Sequence, residues 1–183
     1  SQETGDANTA QEFDGWTFHN IKSWSRNNSN KGIRNKFHLG EGTIAVIDPY
    51  EFSLETSEVI NQSKISTPRI DISDVAAGQL KLSFDSSWPR HNANYASVLV
   101  SYDDAAPISV LSPKGKWGIN SRKSVSLNNP EGSQSAVITW IYEFNNNFLA
   151  IDNIIVSDEQ NVEYFSEDFE GLELKTYHST TLP

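Results

Sequence analysis

The chain has 183 residues, a formal net charge of -10 and no cysteine, and this length suffices for one domain with a sizeable core. Lys and Arg total 14 against 24 Asp and Glu, a balance that argues against nucleic acid and anionic membrane surfaces as partners, because both require basic patches. The absence of Cys excludes disulfides, thiolate metal sites and a Cys nucleophile.

Short alternating apolar runs, separated by Gly, Pro, Asn, Asp and Ser, recur along the chain, and helical periodicity is nearly absent. These runs predict strands at 12–18, 42–48, 57–63, 63–72, 78–87, 95–103, 106–112, 122–128, 135–144, 148–157 and 162–169. Residues 19–40 and 86–94 interrupt the pattern and are predicted to be long surface loops.

Several of the predicted strands carry apolar residues at every second position, as in Leu80, Leu82 and Phe84. This alternation is typical of antiparallel sheets that are covered on one face. The sequence therefore predicts an all-β fold, an antiparallel β-sandwich. No run of about 18 apolar residues occurs, so no membrane-spanning segment is expected.

The chain ends much as it begins, because "EDFEG" at 167–171 echoes "EFDGW" at 12–16. We expect this C-terminal segment to fold back onto the domain through about Phe169. The predicted organisation comprises three parts, namely a flexible N-terminal segment at 1–11, a β-sandwich domain at 12–169, and a tail or the start of a following module at 170–183.

The first residues lack the basic start and apolar stretch of a signal peptide, and the chain contains no Met. We therefore expect a processed form or a piece of a longer protein. The polar, Asn- and Ser-rich loops favour a secreted or cell-surface location.

Five tryptophans are many for a chain of this size, and a flat indole ring suits stacking against a sugar. Trp140 lies between apolar neighbours and is expected in the core, and Trp16 is expected to be half-buried. The other three lie in polar stretches, where they could form a ligand platform or pin their own loops to the body. The predicted ligand-binding residues are Trp24, Arg26, Trp88, Arg90, His91 and Trp117.

Basic residues gather in two stretches despite the acidic total. They are Lys22, Arg26, Lys31, Arg34 and Lys36 in one, and Lys114, Lys116, Arg122 and Lys123 in the other. Such stretches could recognise an anionic polysaccharide, because Arg pairs well with sulfate or carboxylate. The alternative is that they are ordinary solvated loops.

Signals for catalysis are few. The sequence has no H-E-x-x-H zinc motif and no G-x-S-x-G nucleophile elbow. His91 could serve a polysaccharide lyase with Tyr95 as the acid, although a loop His is usually only solvated.

Four stretches in order, "GEGTIAVIDP" (40–49), "LKLSFDSSW" (80–88), "LNNPEGS" (127–133) and "FLAIDNIIV" (148–156), resemble a jelly-roll domain found as an accessory module in large secreted bacterial enzymes. The resemblance covers roughly residues 12–157. This accessory domain is similar in fold to carbohydrate-binding modules and to MAM and cleaved-adhesin domains, so the resemblance implies a jelly roll.

The resemblance also implies a structural calcium ion bound by the Asp of the late "IDNI" strand, here Asp152, and by an acid of the first strand. The candidate companions are Glu12 and Asp14, or, from the far end of the chain, Glu167, Asp168 or Glu170. Calcium prefers carboxylate, carbonyl and Asn oxygens, which this set supplies. The alternative is that Asp152 and Asn153 close a turn by hydrogen bonding.

Taken together, these features predict a non-catalytic carbohydrate-binding module that is stabilised by calcium and targets a secreted enzyme of a marine bacterium to a polysaccharide. Its expected partners are the polysaccharide, for which an anionic marine glycan is one candidate, and the catalytic domain of the same parent chain, with the module itself a monomer. Two alternatives remain open, a structural or adhesion spacer of a multidomain surface protein and a small jelly-roll lyase or hydrolase.

Overall fold

The computed structural model describes residues 16–26, 31–48, 62–89, 95–111, 117–143 and 147–171. Within these ranges the chain forms strands and two short helices. Their bounds are β1 Trp16–Asn20, α1 Ile21–Arg26, α2 Lys31–Arg34, β2 Thr43–Ile47, β3 Ser63–Ser66, β4 Ile70–Asp71, β5 Lys81–Trp88, β6 Tyr95–Tyr102, β7 Ile108–Leu111, β8 Gly118–Ser126, β9 Ser135–Glu143, β10 Leu149–Ser157 and β11 Glu163–Glu167.

The strands form two antiparallel sheets. The six-stranded sheet has the order β1-β2-β10-β5-β8, with β11 also paired to β10, and the five-stranded sheet has the order β3-β9-β6-β7, with β4 also paired to β9. The prediction of an antiparallel β-sandwich of the jelly-roll type is confirmed. Among the described residues, neither helix is long and apolar enough to cross a membrane.

The main core lies between the two sheets and follows from the period-two alternation of their strands. In β6, for example, Val98, Val100 and Tyr102 are buried while the residues between them are partly exposed. Each fully buried large apolar side chain contributes about 1.5–3 kcal/mol of transfer free energy. The same alternation gives every strand an outer face, which positions the candidate sites described below.

The predicted loop at 19–40 is corrected by the structure, because part of it is helical. Asn20 ends β1 and caps α1, where its Oδ1 accepts hydrogen bonds from the backbone N–H groups of Lys22 and Ser23. The helices cover a second, smaller core on the outer side of the six-stranded sheet. Its buried members are Trp24, Phe37, Ile44, Val46, Phe148 and Ala150.

The C-terminal segment folds back, as predicted, and β11 pairs with β10 from Ile154 opposite Glu167 to Ser157 opposite Glu163. Phe169 follows β11 and is buried, with its ring centroid 5.6 Å from that of Phe18. The residues just ahead of the "EDFEG" motif therefore add a strand to this sandwich, and the motif itself forms the end of that strand and the turn after it. The predicted flexible segment 1–11 lies outside the described residues.

Candidate functional site

Trp88 and Trp117 are buried in the main core, which corrects the prediction that they stand exposed in polar loops. Their rings meet edge to face with centroids 5.4 Å apart, and Trp117 also packs against Phe84. The physical reason is strand alternation: Trp88 lies an even number of residues after Leu82 and Phe84, so β5 directs all three inward. In this conformation the two rings offer no face for stacking.

Trp24 is also buried, at 0% exposure, and it anchors its own segment to the sheet. Its Nε1 donates a hydrogen bond to Asp48 Oδ2 at 3.0 Å, and the Phe148 ring meets its ring edge to face. The guanidinium of Arg34 lies 5.1 Å from the centroid of the Trp24 ring and forms a buried ion pair with Asp48. Of the two roles considered for Trp24, the structure agrees with pinning its own segment to the body and not with a ligand platform.

The remaining tryptophans and basic site residues are placed as follows. Trp140 is in the core, as predicted, and Trp16 is fully buried where half-burial was expected. Arg26 is exposed in the last turn of α1. Arg90 and His91 lie outside the described residues.

Asp152 is buried on the outer side of β10, beneath the segment 39–43. Its Oδ2 accepts a hydrogen bond from the Glu41 backbone N–H at 2.9 Å, and its Oδ1 accepts one from the Asn153 N–H at 2.8 Å. Burial is the largest cause of a pKa of about 7 for Asp152; the nearby charges of Asp85 and Glu170 also raise this pKa, and the two backbone hydrogen bonds lower it. We call the site formed by Asp152, Asp85 and Glu170 the acidic corner. A proton or a cation there would relieve the repulsion between these carboxylates.

Glu170 is the second carboxylate that the segment 39–43 brings to the acidic corner. Its Oε1 accepts a hydrogen bond from the Thr43 N–H at 2.7 Å. Gly42, at φ +48°, allows this close approach, because a Cβ there would lie 1.9 Å from Glu170 Oε1. Of the three C-terminal acids that the sequence offered, Glu170 is the one whose charge acts on Asp152.

Glu167 and Asp168 bond to their own turn. Glu167 Oε1 accepts a hydrogen bond from the Phe169 N–H at 2.6 Å, and Asp168 Oδ1 accepts one from the Glu170 N–H at 3.1 Å. Glu12 and Asp14 lie outside the described residues. Within the described ranges, no group of three or more Asp, Glu or His side chains stands ready to hold a metal ion.

Asp85 lies next to Asp152 in the register of β5 and β10, and its charge is paired. Arg122 on β8 donates to both oxygens of Asp85, at 2.8 and 2.7 Å. Asn153 Nδ2 links the same carboxylate to the Leu39 carbonyl oxygen. Arg122, a member of the second predicted basic stretch, is therefore engaged in an ion pair at the acidic corner.

A pocket of about 250 Å³ opens between α1 and the segment 34–40. Its walls combine an apolar floor with basic, hydroxyl and amide groups at the rim. The lining residues are Ile21, Lys22, Ser25, Arg34, Asn35, Phe37, His38 and Gly40. The charged group of Arg34 is buried against Asp48, so the exposed cationic side chain of this pocket is Lys22.

The outer face of the five-stranded sheet alternates apolar and hydroxyl side chains. Its outward positions on β6 and β9 are partly or fully exposed, and on β3 Ser66 bonds to Thr139 through their hydroxyls at 2.8 Å. We call this surface the β6–β9 face; its members are Lys64, Ser66, Tyr95, Ser97, Leu99, Ser101, Val137, Thr139, Ile141 and Glu143.

Tyr95 is the most exposed aromatic side chain in the described residues, at 43%, and it stands opposite Glu143 at one end of the β6–β9 face. From the sequence, Tyr95 was a candidate only as the acid of a lyase. The signal that could have found it is alternation, because Tyr95 falls out of phase with the inward Ala96, Val98 and Val100.

No family model matches the chain, and no curated protein matches it in sequence. Among solved structures, the carbohydrate-binding module TmCBM61 in complex with β-1,4-galactotriose is 14% identical, with a TM-score of 0.47 over 79% of this chain and 83% of that chain.

Two further solved structures are much longer than this chain. The CBM22-1–GH10 modules of Clostridium thermocellum endo-1,4-β-D-xylanase 10B, complexed with xylohexaose, are 12% identical, with a TM-score of 0.40 over 85% of this chain and 28% of that chain. The enzymatically active domain of bacteriophage CBA120 tailspike protein 4 is 17% identical, with a TM-score of 0.42 over 84% of this chain and 21% of that chain.

All three TM-scores are below 0.5, so these similarities assign neither a ligand nor an activity to this chain. Two of the three structures contain carbohydrate-binding modules, the class of domain that the sequence resembles.

Proposed function

We propose that the protein is a non-catalytic carbohydrate-binding module. The observation that carries this proposal is the β6–β9 face, an open strip of sheet on which Leu99, Val137 and Ile141 alternate with Ser and Thr and which ends at Tyr95. A pyranose ring has apolar C–H faces and a hydroxyl rim, and it needs this mixture of apolar surface with a few polar groups.

The dimensions of the β6–β9 face suit a chain of sugars. Tyr95 and Ser101 are six residues apart on β6, which corresponds to about 20 Å along a strand, and the face is three strands wide. This length accommodates several sugar residues laid along the strands. The ligand class that fits is therefore a glycan chain, not a single small molecule.

In the biological role that follows, a module of this kind serves as the accessory domain of a secreted or cell-surface enzyme. By holding a polysaccharide, it raises the effective concentration of the catalytic domain of the same parent chain at its substrate. The module acts as a monomer in this role.

A single aromatic substitution tests glycan binding. We expect Tyr95→Ala to weaken binding to the glycan ligand about tenfold, since a stacked aromatic ring contributes on the order of 1–2 kcal/mol. Affinity gel electrophoresis against neutral and sulfated glycans measures the loss, with β-1,4-galactan and xylan as first probes.

The matched control is Val162→Ala, which truncates an exposed apolar side chain away from the β6–β9 face. It should bind as the wild type does. No retardation of the wild type on any glycan would favour the structural spacer, and release of unsaturated products absorbing in the ultraviolet would reveal a lyase.

We also propose a structural calcium ion at the acidic corner, with Asp152 and Glu170 as its carboxylate ligands. The support is the approach of these carboxylates beneath the segment 39–43 and the hard oxygen chemistry that calcium prefers. The ion would neutralise the acidic corner and tie the C-terminal turn to the sheet.

Calcium binding has a thermal signature, because a ligand that binds only the native state stabilises it by mass action. We expect the melting temperature to rise with calcium and to fall when a chelator is added. Glu170→Gln should abolish the response, while Glu163→Gln, an exposed substitution on β11, should keep it. An identical melting temperature with calcium and with chelator would rule this site out.

We further propose that the glycan is anionic, as sulfated and uronate-containing marine polysaccharides are. The support is the charge of the segment 21–40, which contains five Lys and Arg residues and no Asp or Glu in a chain of net charge -10. Stronger retardation on sulfated or uronate glycans than on their neutral counterparts is the expected result.

A further inference from the structure

We propose that the pocket between α1 and the segment 34–40 binds the oxyanion of an anionic sugar residue, either a uronate carboxylate or a sulfate ester. This inference rests on the proposed function and extends it, because it places the charged sugar at a second site, separate from the β6–β9 face. Four observations support it.

The first observation is the chemistry of the rim. Lys22, Asn35 and His38 are exposed side chains that line the pocket, and Ser25 adds a hydroxyl group. The ammonium and the amide supply several hydrogen-bond donors, whereas the Ser25 hydroxyl already donates to the Lys22 carbonyl oxygen at 3.2 Å. A hydrogen bond to an anion is roughly twice as strong as one between neutral groups. Among the described residues, no carboxylate lines the pocket to compete with an incoming anion.

The second observation is the apolar floor. Phe37 and Ile21 pack tightly under Gly40, where a Cβ would come within 2.7 Å of the Phe37 ring and 2.9 Å of Ile21 Cδ1. Phe37 is buried and Ile21 is partly buried, so Ile21 is the side chain of this floor that can contact the C–H face of a pyranose, with Phe37 supporting it from below. A solvated basic loop requires no such floor.

The third observation is size. The pocket volume of about 250 Å³ is below the roughly 300–1,000 Å³ of pockets for drug-sized ligands. It therefore suits one sugar residue, whereas the β6–β9 face suits a chain. The pocket would recognise the charged group of the glycan, and the β6–β9 face would bind its chain of sugar rings.

The fourth observation is that the pocket walls are held from below. Trp24 of α1 is buried in the second core, and Arg34 is bound both to Asp48 and, through Nη1, to the Trp24 carbonyl oxygen at 3.0 Å. These contacts fix α1 relative to the segment 34–40. Binding an anion would then require little further ordering, and ordering is a principal cost of recognition.

The experiment measures dissociation constants by isothermal titration calorimetry with three probes of matched length. The probes are a neutral β-1,4-galactan oligosaccharide, an oligogalacturonate and a sulfated galactan oligosaccharide. The wild type should bind at least one anionic probe about tenfold more tightly than the neutral one, a difference that one charge-assisted hydrogen bond can supply. The oligogalacturonate and sulfated arms distinguish carboxylate from sulfate as the oxyanion.

Lys22→Gln should remove the preference for the anionic probe and leave neutral binding unchanged. The matched control is Lys36→Gln, which removes the same charge from the same segment at an exposed position outside the pocket lining. Both variants should keep the wild-type melting temperature, because both side chains are exposed.

Equal losses in Lys22→Gln and Lys36→Gln would overturn the proposed pocket in favour of diffuse attraction. A wild type that binds neutral and anionic probes equally would also overturn it, while leaving the carbohydrate-binding function intact. If the wild type binds none of the probes, the proposed function fails and the pocket inference fails with it.

Discussion

Tyr102 shows how one polar atom is accommodated in the core of this sandwich. It is the last residue of β6, its ring lies in the main core, and its hydroxyl donates to the Leu127 carbonyl oxygen. Burial raises the pKa of Tyr102 to about 12 from its usual 10.0. The neutral hydroxyl is therefore the form that the folded protein stabilises.

This pKa shift predicts how stability depends on alkaline pH. Because the folded pKa exceeds the unfolded one, the contribution of Tyr102 is fully present below about pH 10 and is lost as pH rises through about 12. Tyr102→Phe should lower the free energy of unfolding by about 1 kcal/mol at pH 7, because the buried Leu127 carbonyl loses its donor. Above pH 10 the free energy of unfolding of this variant should fall less steeply than that of the wild type. Urea unfolding at several pH values measures both effects, and equal pH slopes for the two proteins would contradict the assignment.

The tryptophans illustrate what can be read at the residue scale. Their neighbours in the sequence place Trp140 in the core, Trp16 at half burial and the other three in polar stretches, yet the structure buries all five. Phase within a strand identifies Trp88 as inward, so its burial was predictable. Trp24 was not predictable in this way, because its partners Asp48 and Phe148 lie far along the chain.

At the scale of elements, β11 and the turn after it lock the C-terminal segment onto the sandwich. Phe169 is 0% exposed and adopts φ +60°, a conformation that is uncommon for a non-glycine residue. The burial of its ring must offset that backbone cost. The Glu167 and Asp168 carboxylates also stabilise the turn, because they accept hydrogen bonds from backbone N–H groups within it.

We expect Phe169→Ala to destabilise the protein by about 3–5 kcal/mol, the range for truncating a buried Phe. The measurement is the free energy of unfolding in urea. The control is Phe165→Ala, a partly buried ring on β11 itself, which should cost less. An effect below about 1 kcal/mol for Phe169→Ala would indicate that the C-terminal turn is not part of the cooperative fold.

Among the elements, the strands were predictable and the helices α1 and α2 were not. Period-two alternation is written in each strand, so β5, β6, β9 and β10 agree with the predicted ranges to within a few residues. The segment 19–40 carries too few apolar residues for a helical period. Its helices depend on the Asn20 cap and on burial of Trp24 against the sheet.

At the scale of the whole molecule, the two cores share strands and are expected to unfold together. β2 directs Ala45 and Ile47 into the main core and Ile44 and Val46 into the second one. β2 is thus buried on both faces, so loosening one core exposes residues that support the other.

The buried ion pair of the second core tests this coupling. Asp48→Ala leaves the Arg34 guanidinium buried without its carboxylate, and it should lower the free energy of unfolding by about 3–5 kcal/mol in one single transition. Asp104→Asn breaks the exposed ion pair with Arg69 and should cost about 1 kcal/mol or less, because the Asp104 and Arg69 side chains are 74% and 53% exposed and Asn tolerates the φ of +63° at this position. Two separate transitions in calorimetry would show that the cores are independent.

The sequence by itself determined the fold class, the positions of most of the described strands and the place of Asp152 in a late strand, and it favoured the return of the C-terminal segment. These follow from local alternation, turn residues and a recurring motif, which are properties of neighbouring residues. Tertiary structure decided which side chains remain exposed: it buried the predicted tryptophan platform, brought Glu170 to Asp152, and left Tyr95 and the Lys22 pocket open to solvent. The reason is that exposure depends on what the other sheet, the helices and the chain end cover, and those contacts join residues far apart in the sequence.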